Sequence, residues 1–388
     1  MSQEPATYDA SRITVLHGLE AVRRRPGMYI GTTGERGLHL VVTEAAGWSF
    51  DEILHGRASR LDVTLRRDGG VRLADDGPGV EFGTGPSLTI ALTVLTAGRS
   101  KVGPRYPMSG VLGEVSVVNA LSSRLVADVR RDGRRYVQEF ARGVPVAPVA
   151  DTGPTSGSGN AITFWPDADI FETTEFSFET LVERFRELAF VNRELDISLT
   201  DERGGAEPRS VRLHFPDGVR ELLAFLDGGV DDSEIDDSEI DDSEIDDSEI
   251  AGFEEEEPET ETTMDIAWRW HGSGPERVQS FANSQPTPAG GTHLLGFRDG
   301  VAAALTAYAR ERQLLASMDP DIGADRIGRG LTAVVSVKVK HPQFEGCTRD
   351  VLGTAEVRGY VRQAVQHHVG LWLAANPQQA KEILNRIR

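Results

Sequence analysis

The spacing of apolar and polar residues predicts strands and an amphipathic helix in the first half of the chain. Apolar and polar side chains alternate along residues 61–77 and 123–140, and an Asp-Gly pair interrupts each stretch. Alternation around an Asp-Gly turn is typical of a β-hairpin. Residues 176–192 instead place apolar side chains three and four positions apart, which predicts an amphipathic helix.

The second half of the chain also mixes strand and helix patterns. Strand-like stretches occupy residues 264–270 and 331–341, and an alanine-rich helix is expected near residues 301–313. A further helix is expected from residue 354 to about residue 373. Two α+β domains fit this order, with an acidic loop in a hairpin of the second domain.

This acidic segment separates the two halves. Residues 231–250 repeat the sequence DDSEI, and residues 231–261 together hold 18 acidic and no basic side chains. One isoleucine in five positions fits neither strand nor helix periodicity, and this density of charge opposes burial. We expect a disordered insertion at residues 228–262. A Ca²⁺ loop is disfavoured because the spaced glycine of a twelve-residue loop is missing.

The net charge of the chain belongs to this segment. The chain has a formal charge of −20, but outside the segment 41 basic side chains accompany 43 acidic ones. The near-neutral remainder leaves open a contact with DNA through a local basic patch. The 388 residues contain no apolar run long enough for a membrane span, and the single cysteine, Cys347, excludes an intrachain disulfide. No signal pattern is present at the N-terminus, so we expect a cytoplasmic protein without a membrane partner.

Five stretches of the sequence together resemble one protein family, DNA gyrase B with its topoisomerase IV relative. Phrases such as RRRPGMYIG, TFWPDADIFETTEF and RELAFVNR make the resemblance specific. It extends from about residue 8 to the end of the sequence and is interrupted by the acidic segment. The stretches that carry it are residues 8–31, 75–79, 109–121, 290–297 and 331–350.

The resemblance implies a fold, a cofactor and a mode of assembly. An N-terminal arm at residues 1–15 would precede a Bergerat-type ATPase domain, an α/β sandwich, at residues 16–205. A transducer domain of ribosomal-protein-like fold would occupy residues 206–388. Family members bind ATP and magnesium, dimerise on nucleotide and close a gate around DNA. The DNA-cleavage parts of the family have no counterpart in the sequence, so we expect that this chain does not cut DNA by itself.

The helix that supplies the family's general base departs from the pattern at the magnesium ligand. In the family this helix has the pattern E-x-x-D-N-S-x-D-E, in which Glu is the base and Asn binds magnesium. The resemblance places Glu44 at the base position but Gly47 and Trp48 at the Asp-Asn positions. Positions 44 and 48 share one helical face, so an indole without an acceptor points where a magnesium ligand should lie. The alternative is that Trp48 turns aside into a hydrophobic gap.

The adenine side of the family site is better preserved. Asp75 matches the family aspartate that accepts a hydrogen bond from the adenine amino group. Gly77 and Gly79 match the glycines that allow close approach of the ring. Asn160 replaces the family threonine beside that aspartate. The resemblance therefore implies that these four residues bind nucleotide.

On the adenine side two family arginines are replaced, one by Pro78 and one, on the pocket rim, by Val137. Around the phosphates the family pattern is altered more strongly. The family phosphate lid is two residues shorter here, although Gly110 and Gly113 remain candidate phosphate-binding glycines. Glu114 places a carboxylate where a phosphate would lie. A like charge within about 5 Å costs on the order of 1 kcal/mol or more.

The remaining candidate residues lie on the arm and on two loops. Lys101 stands next to the position of a family lysine that precedes the lid. Cys347 and Arg349 occupy the ends of the family Q-T-K loop, whose lysine reaches the γ-phosphate. Tyr8 matches the arm that crosses to the partner protomer, so the resemblance implies a homodimer.

Three functions stay open at this stage. The one that we favour is a gyrase-B-like, non-catalytic or weakly nucleotide-binding dimerising protein, with gyrase subunits or DNA as partners. The second is a functional, ATP-hydrolysing fragment of a gyrase B protein, and the third is an acidic scaffold or DNA mimic that recruits basic proteins. ATP and magnesium are cofactors by resemblance alone. The altered helix and lid predict no metal site and an absent or very weak ATPase.

Overall fold

The described part of the chain forms two units, each built on its own β-sheet. The computed structural model describes residues 18–80, 88–95, 115–205, 207–228, 250–271, 274–345 and 349–387. Among these residues no helix combines the length and the apolar character needed to cross a bilayer.

The first unit packs helices against a mixed sheet. Its helices are α1 (Leu19–Arg24), α2 (Gly27–Ile30), α3 (Glu35–Leu54), α4 (Leu88–Thr93), α5 (Val115–Ala120) and α6 (Phe178–Phe190). Its strands are β1 (Leu61–Leu65), β2 (Val71–Asp75), β3 (Ser122–Arg131), β4 (Arg134–Ala141), β5 (Val144–Pro145), β6 (Ala150–Pro154), β7 (Gly159–Pro166), β8 (Ile197–Asp201) and β9 (Arg209–Leu213). The strand order is β5-β4-β3-β7-β2-β1-β8-β9, and β6 pairs with β4.

Local sequence signals explain several of these elements. Strands β1 and β2 are antiparallel, as are β3 and β4, so both predicted hairpins are confirmed. Asp132, in the second turn, has a φ of 52°, in the left-handed region that Asp tolerates better than most residues. The predicted amphipathic helix is confirmed as α6, whose first turn is capped by Ser177 accepting from the backbone N–H of Thr180.

The second unit packs helices on both faces of a second sheet. Its elements are α7 (Val219–Gly228), β10 (Ala251–Glu257), β11 (Thr262–Trp270), β12 (Arg277–Ala282), β13 (Gln285–Pro286), α8 (Thr292–Glu311), β14 (Leu331–Lys338), β15 (Phe344–Glu345), β16 (Val351–Leu352), α9 (Ala355–Ala375) and α10 (Pro377–Ile387). The sheet order is β10-β11-β14-β12-β13. Val335 and Val337 of β14 pack in the core with α8 and α9, whereas Val334 packs with α7. Because both faces are covered, β14 is buried along nearly its whole length. The α+β fold class is thus confirmed.

Three expectations about boundaries are wrong. Strand β9 pairs with β8 in the first sheet, so this sheet extends to residue 213 and the boundary does not fall at residue 205. Helix α8 begins at Thr292, earlier than expected, and a second helix, α10, follows α9. The acidic segment is not the loop of a hairpin, because the hairpin β10–β11 turns at residues 258–261 and the repeat precedes it.

Part of the acidic segment is also ordered, contrary to the expected disorder of residues 228–262. Residues 251–257 form the edge strand β10, which pairs along its length with β11. Glu254 lies 3.4 Å from Arg193, and Glu255 accepts from His368 at 2.7 Å. Edge-strand glutamates that stay solvated or paired do not oppose the backbone ladder, which is why composition misled the prediction. Residues 229–249, with most of the repeat, lie outside the described residues.

The two units contact each other through apolar and polar groups. Phe190, at the end of α6, joins the apolar cluster that α7 forms with the second sheet. The guanidinium of Arg193 donates to the carboxylate of Asp265 at 2.8 Å. Ser284 donates to the side-chain oxygen of Asn192 at 3.0 Å. These contacts join the end of α6 to strand β11 and to the turn between β12 and β13.

Candidate functional site

The centre of the candidate site is the buried carboxylate of Asp75 at the end of β2. Its side chain is only 4% exposed. Oδ1 accepts from the backbone N–H groups of Gly77 at 3.0 Å and Asn160 at 3.2 Å, and Oδ2 accepts from the hydroxyl of Ser49 at 2.8 Å. Burial raises the pKa of Asp75, and these hydrogen bonds oppose the shift. The arrangement holds a hydrogen-bond acceptor in a poorly hydrated place.

Asn160 closes this arrangement from strand β7. Its side-chain N–H₂ donates to Oδ1 of Asp75 at 3.2 Å and more distantly to Oδ2 at 3.4 Å. Its side-chain oxygen accepts from the backbone N–H of Val80 at 2.9 Å. A carboxylate offers about four acceptor positions. Oδ1 takes three donors, whereas Oδ2 has one short bond, from Ser49, and one long contact, from Asn160.

The loop after β2 needs its glycines for steric reasons. Gly79 has a φ of 78°, and a Cβ there would lie 2.6 Å from the backbone oxygen of Arg130. A Cβ at Gly77 would lie 3.0 Å from Oδ1 of Asp75. The structure thus brings together the predicted group Asp75, Gly77, Gly79 and Asn160, while the exposed Pro78 lies between the two glycines. Their role in nucleotide binding stays a prediction.

Comparing two glycine-to-alanine variants distinguishes a steric clash from backbone strain in this loop. Gly79→Ala is expected to lower the free energy of unfolding more than Gly69→Ala, by roughly 1 kcal/mol or more, because of overpacking. Gly69 has a similar φ of 79°, but a Cβ there meets nothing within 4 Å. Urea unfolding of the two variants measures the difference. Equal losses in both variants would show that the loop has room beside Arg130.

Helix α3 supplies one wall of the site. Ser49 on this helix bonds Asp75 directly, and Glu44 is 1% exposed. Trp48 lies one turn after Glu44 on the same face; it is half-buried and packs against the core of the first unit. This packing fits the alternative in which the indole turns toward apolar neighbours. Gly47, beside it, has no side chain to serve as a ligand.

A magnesium ion does not fit this wall. Neither Gly47 nor Trp48 offers an oxygen, and an indole presents only an N–H donor. Burial raises the pKa of Asp51, next along the same face, which disfavours its charged form. Glu52 is engaged by Arg57 through two hydrogen bonds of 2.7 and 3.1 Å. Asp51 and Glu52 are therefore poorly placed to replace the missing oxygen ligand.

Two arginines near the loop were missed by the sequence analysis. Arg131 on β3 donates to the backbone oxygen of Gly79 at 2.7 Å. The side chain of Arg57 is bonded to Glu52. Its backbone oxygen would lie 3.7 Å from a Cβ placed at Gly77. Neither residue belongs to a motif, and only the fold brings them to the glycines. Arg131 places a guanidinium beside a loop whose own arginine position is Pro78.

Two further predicted site residues, Val137 and Arg349, lie within the described part of the chain. Val137 lies on β4, three strands from β2, which is roughly 14 Å at the usual strand spacing. Arg349 lies in the second unit, just before β16. The other candidates, which the resemblance placed on the arm, the lid and the loop, lie outside the described residues: Tyr8, Lys101, Gly110, Gly113, Glu114 and Cys347.

Comparison with known proteins finds similarity along nearly the whole chain. The family model described as DNA gyrase B matches residues 218–388. The DNA gyrase B protein of Streptomyces coelicolor is 43% identical over 98% of this chain and 57% of its own length. The novobiocin-resistant DNA gyrase B protein of Streptomyces niveus is 44% identical over 98% of this chain and 58% of its own length. The chain thus spans somewhat more than half the length of these relatives.

Solved structures extend this comparison to the fold. The 43K ATPase domain of Thermus thermophilus gyrase B, in complex with an aminocoumarin, superposes with a TM-score of 0.76 at 30% identity. The match covers 95% of this chain and 93% of that domain. The topoisomerase IV ATP-binding domain of Francisella tularensis gives a TM-score of 0.74 at 28% identity, covering 96% of both chains.

Proposed function

The chain belongs to the DNA gyrase B family, and we propose that its first unit binds an adenine nucleotide at Asp75 but hydrolyses ATP very weakly or not at all. The observation that carries the proposal is the arrangement around Asp75, in which Oδ2 has one short hydrogen bond, from Ser49, and one long contact, from Asn160, that a ligand N–H would replace. The exocyclic amino group of adenine is a donor of the kind that this oxygen would accept. The close-packed glycine loop would bring the ring edge to the carboxylate.

The buried environment of Asp75 strengthens a hydrogen bond from a ligand to its carboxylate. A hydrogen bond to a carboxylate in a poorly hydrated site is stronger than the same bond in water. Ser49 and Asn160 fix the carboxylate plane, so little freedom is lost when a ligand binds. Arg131 adds positive charge at the loop, which favours an anionic ligand such as a nucleotide.

Weak hydrolysis follows from the wall formed by α3. Glu44 is retained and buried, but the position of the family's magnesium ligand holds Trp48. ATP hydrolysis in this family requires a base together with a magnesium-bound triphosphate. A base alone has no positioned substrate to act on, so the retained carboxylate does not by itself supply activity.

Calorimetric titration with ADP and ATP, each with and without magnesium, tests this proposal. We expect binding whose affinity changes by less than about threefold when magnesium is added, because α3 offers no oxygen at position 48. ATP turnover is expected at background. Turnover that Glu44→Ala abolishes would contradict the proposal and support the second candidate, a functional ATPase, which the retained and buried Glu44 favours. Absence of any binding would contradict the adenine site.

A further inference from the structure

A groove of about 640 Å³ lies between the edge strand β10 and the outer face of helix α9. Among the described strands, β10 pairs with β11 alone. The side chains of Glu255 and Glu257 line the strand side of the groove, and the helix side extends from Tyr360 to Leu371. One strand and one helix therefore bound the groove at the border of the second sheet.

The lining of this groove carries negative charge. Among the described residues that line it, two are glutamate and none is lysine or arginine. Glu255 is 42% exposed and accepts from His368 at 2.7 Å through one carboxylate oxygen. Glu257 accepts only a long contact, 3.4 Å, from the backbone N–H of Glu259. No hydrogen bond from a described residue engages the other oxygen of either carboxylate, so both glutamates retain acceptors for a cationic ligand.

A metal ion is a poor match for this charge. The described residues contain no group of three histidine, cysteine, aspartate or glutamate side chains placed to hold a metal. The ligands of a protein-bound Ca²⁺ or Mg²⁺ lie within about 2.6 Å of the ion, whereas this groove is lined along several turns of a helix. The groove fits an elongated organic cation better than a metal ion.

The dimensions of the groove match an extended peptide. Glu255 and Glu257 are two positions apart on one strand, so their side chains lie on the same face, roughly 7 Å apart. Basic side chains at alternate positions of an extended peptide have the same spacing. From Tyr360 to Leu371 the helix rises about 16 Å, which is the length of about five extended residues.

The helix side of the groove offers contacts to the rest of such a peptide. Gln363 and Gln366 carry amides that both donate and accept, as the backbone of an extended peptide requires. Leu371, which is 58% exposed, and Ala364 provide apolar surface for the aliphatic stems of lysine or arginine. Gly370 adds no side chain to the groove, and a Cβ there would meet nothing within 4 Å.

We propose that this groove binds an extended, basic segment of a partner protein, with lysine or arginine at alternate positions. The carboxylates of Glu255 and Glu257 bind two of its cationic groups, and the amides of α9 bind its backbone. The site lies wholly in the second unit and does not depend on nucleotide binding at Asp75.

Fluorescence anisotropy with two labelled peptides of equal charge tests the spacing. Both are nine-residue threonine peptides with three lysines, placed at every second position in one and at every third position in the other. Only the first has neighbouring lysines on one face of the extended chain, so we expect it to bind at least about fivefold more tightly. Because the acidic repeat attracts both peptides alike, equal affinities would show charge attraction without a site and overturn the proposal.

A pair of charge variants locates the binding with the first of these peptides. Glu255→Gln combined with Glu257→Gln removes both charges, while a glutamine oxygen still accepts from His368. We expect about tenfold weaker binding, since two charge-assisted contacts are lost. Glu234→Gln combined with Glu239→Gln makes the same change of charge within the acidic repeat and should alter affinity by less than about twofold. Equal losses in the two double variants would overturn the proposal, because binding would then follow total charge.

A steric variant tests the groove without any change of charge. Gly370→Leu places a side chain in the groove, and leucine is a better helix former than glycine, so the fold is expected to tolerate it. Gly359→Leu is the control on the same helix, at a position that is equally open and does not line the groove. We expect Gly370→Leu to weaken binding of the alternating peptide at least about fivefold and the control to leave it unchanged. Unchanged binding in Gly370→Leu, or equal weakening in both variants, would overturn binding in the groove.

Discussion

Asp75→Asn is expected to weaken adenine-nucleotide binding by about 30- to 100-fold, which corresponds to about 2–3 kcal/mol. Ser49, Gly77 and Asn160 all donate to this carboxylate, so an amide N–H₂ in its place would face at least one of these donors. The acceptor that remains for a ligand on Oδ2 would be lost or misoriented. Calorimetric titration with ADP measures the change.

Asp62→Asn is a suitable control for this experiment. Asp62 lies on the neighbouring strand β1, and its side chain is 45% exposed. The same change of carboxylate to amide there should leave nucleotide affinity unaltered, because the side chain pairs with Arg60 at the surface, at 3.6 Å. Unchanged affinity in Asp75→Asn itself would show that nucleotide binds elsewhere or that the carboxylate takes no part in binding.

Acidification from pH 7 to pH 5 should cost the folded state about 2 kcal/mol through His293 alone. Burial lowers the pKa of His293 from 6.5 to about 4. Between these two values the unfolded chain binds a proton that the folded chain does not, so the free energy of unfolding falls as the pH falls. The contribution is fully present above about pH 6.5 and is lost as the pH approaches 4.

Comparison of unfolding curves isolates this effect. His293→Gln keeps a side-chain N–H that can donate to Thr287, but glutamine cannot take up a proton. Between pH 7 and pH 5 the free energy of unfolding of this variant should therefore fall by about 2 kcal/mol less than that of the unaltered chain. His341→Gln, at an exposed position, serves as the control for replacing a histidine. A pH dependence of His293→Gln identical to that of the unaltered chain would rule out proton uptake at this buried ring.

The elements that the sequence predicted well depend on contacts between residues near one another in the chain. The two hairpins turn at Asp-Gly pairs, and α6 has a capping serine followed by a regular apolar stripe. The glycines after Asp75 could be recognised for a similar reason, since each relieves a clash within a tight loop. Short-range geometry of this kind is contained in the residues themselves.

The predictions that failed depend on pairing between distant segments. Strand β9 joins the first sheet because β8 offers it a backbone edge, and its own residues do not indicate which sheet it will enter. Strand β10 forms from a glutamate-rich stretch because β11 pairs with it and Arg193 and His368 pair with its carboxylates. The charge composition predicted disorder because composition does not show which partners the fold brings to the charged side chains.

The candidate site divides in the same way. The sequence by itself determined the family resemblance, the Asp75 loop and the replacement of a magnesium ligand by Trp48, because these are identities at fixed spacings. Only the tertiary structure placed Ser49 on Asp75, Arg131 on Gly79 and Glu255 on His368. Each of those contacts joins residues at least 26 positions apart, and bringing them together requires the packed core of a unit rather than any local preference.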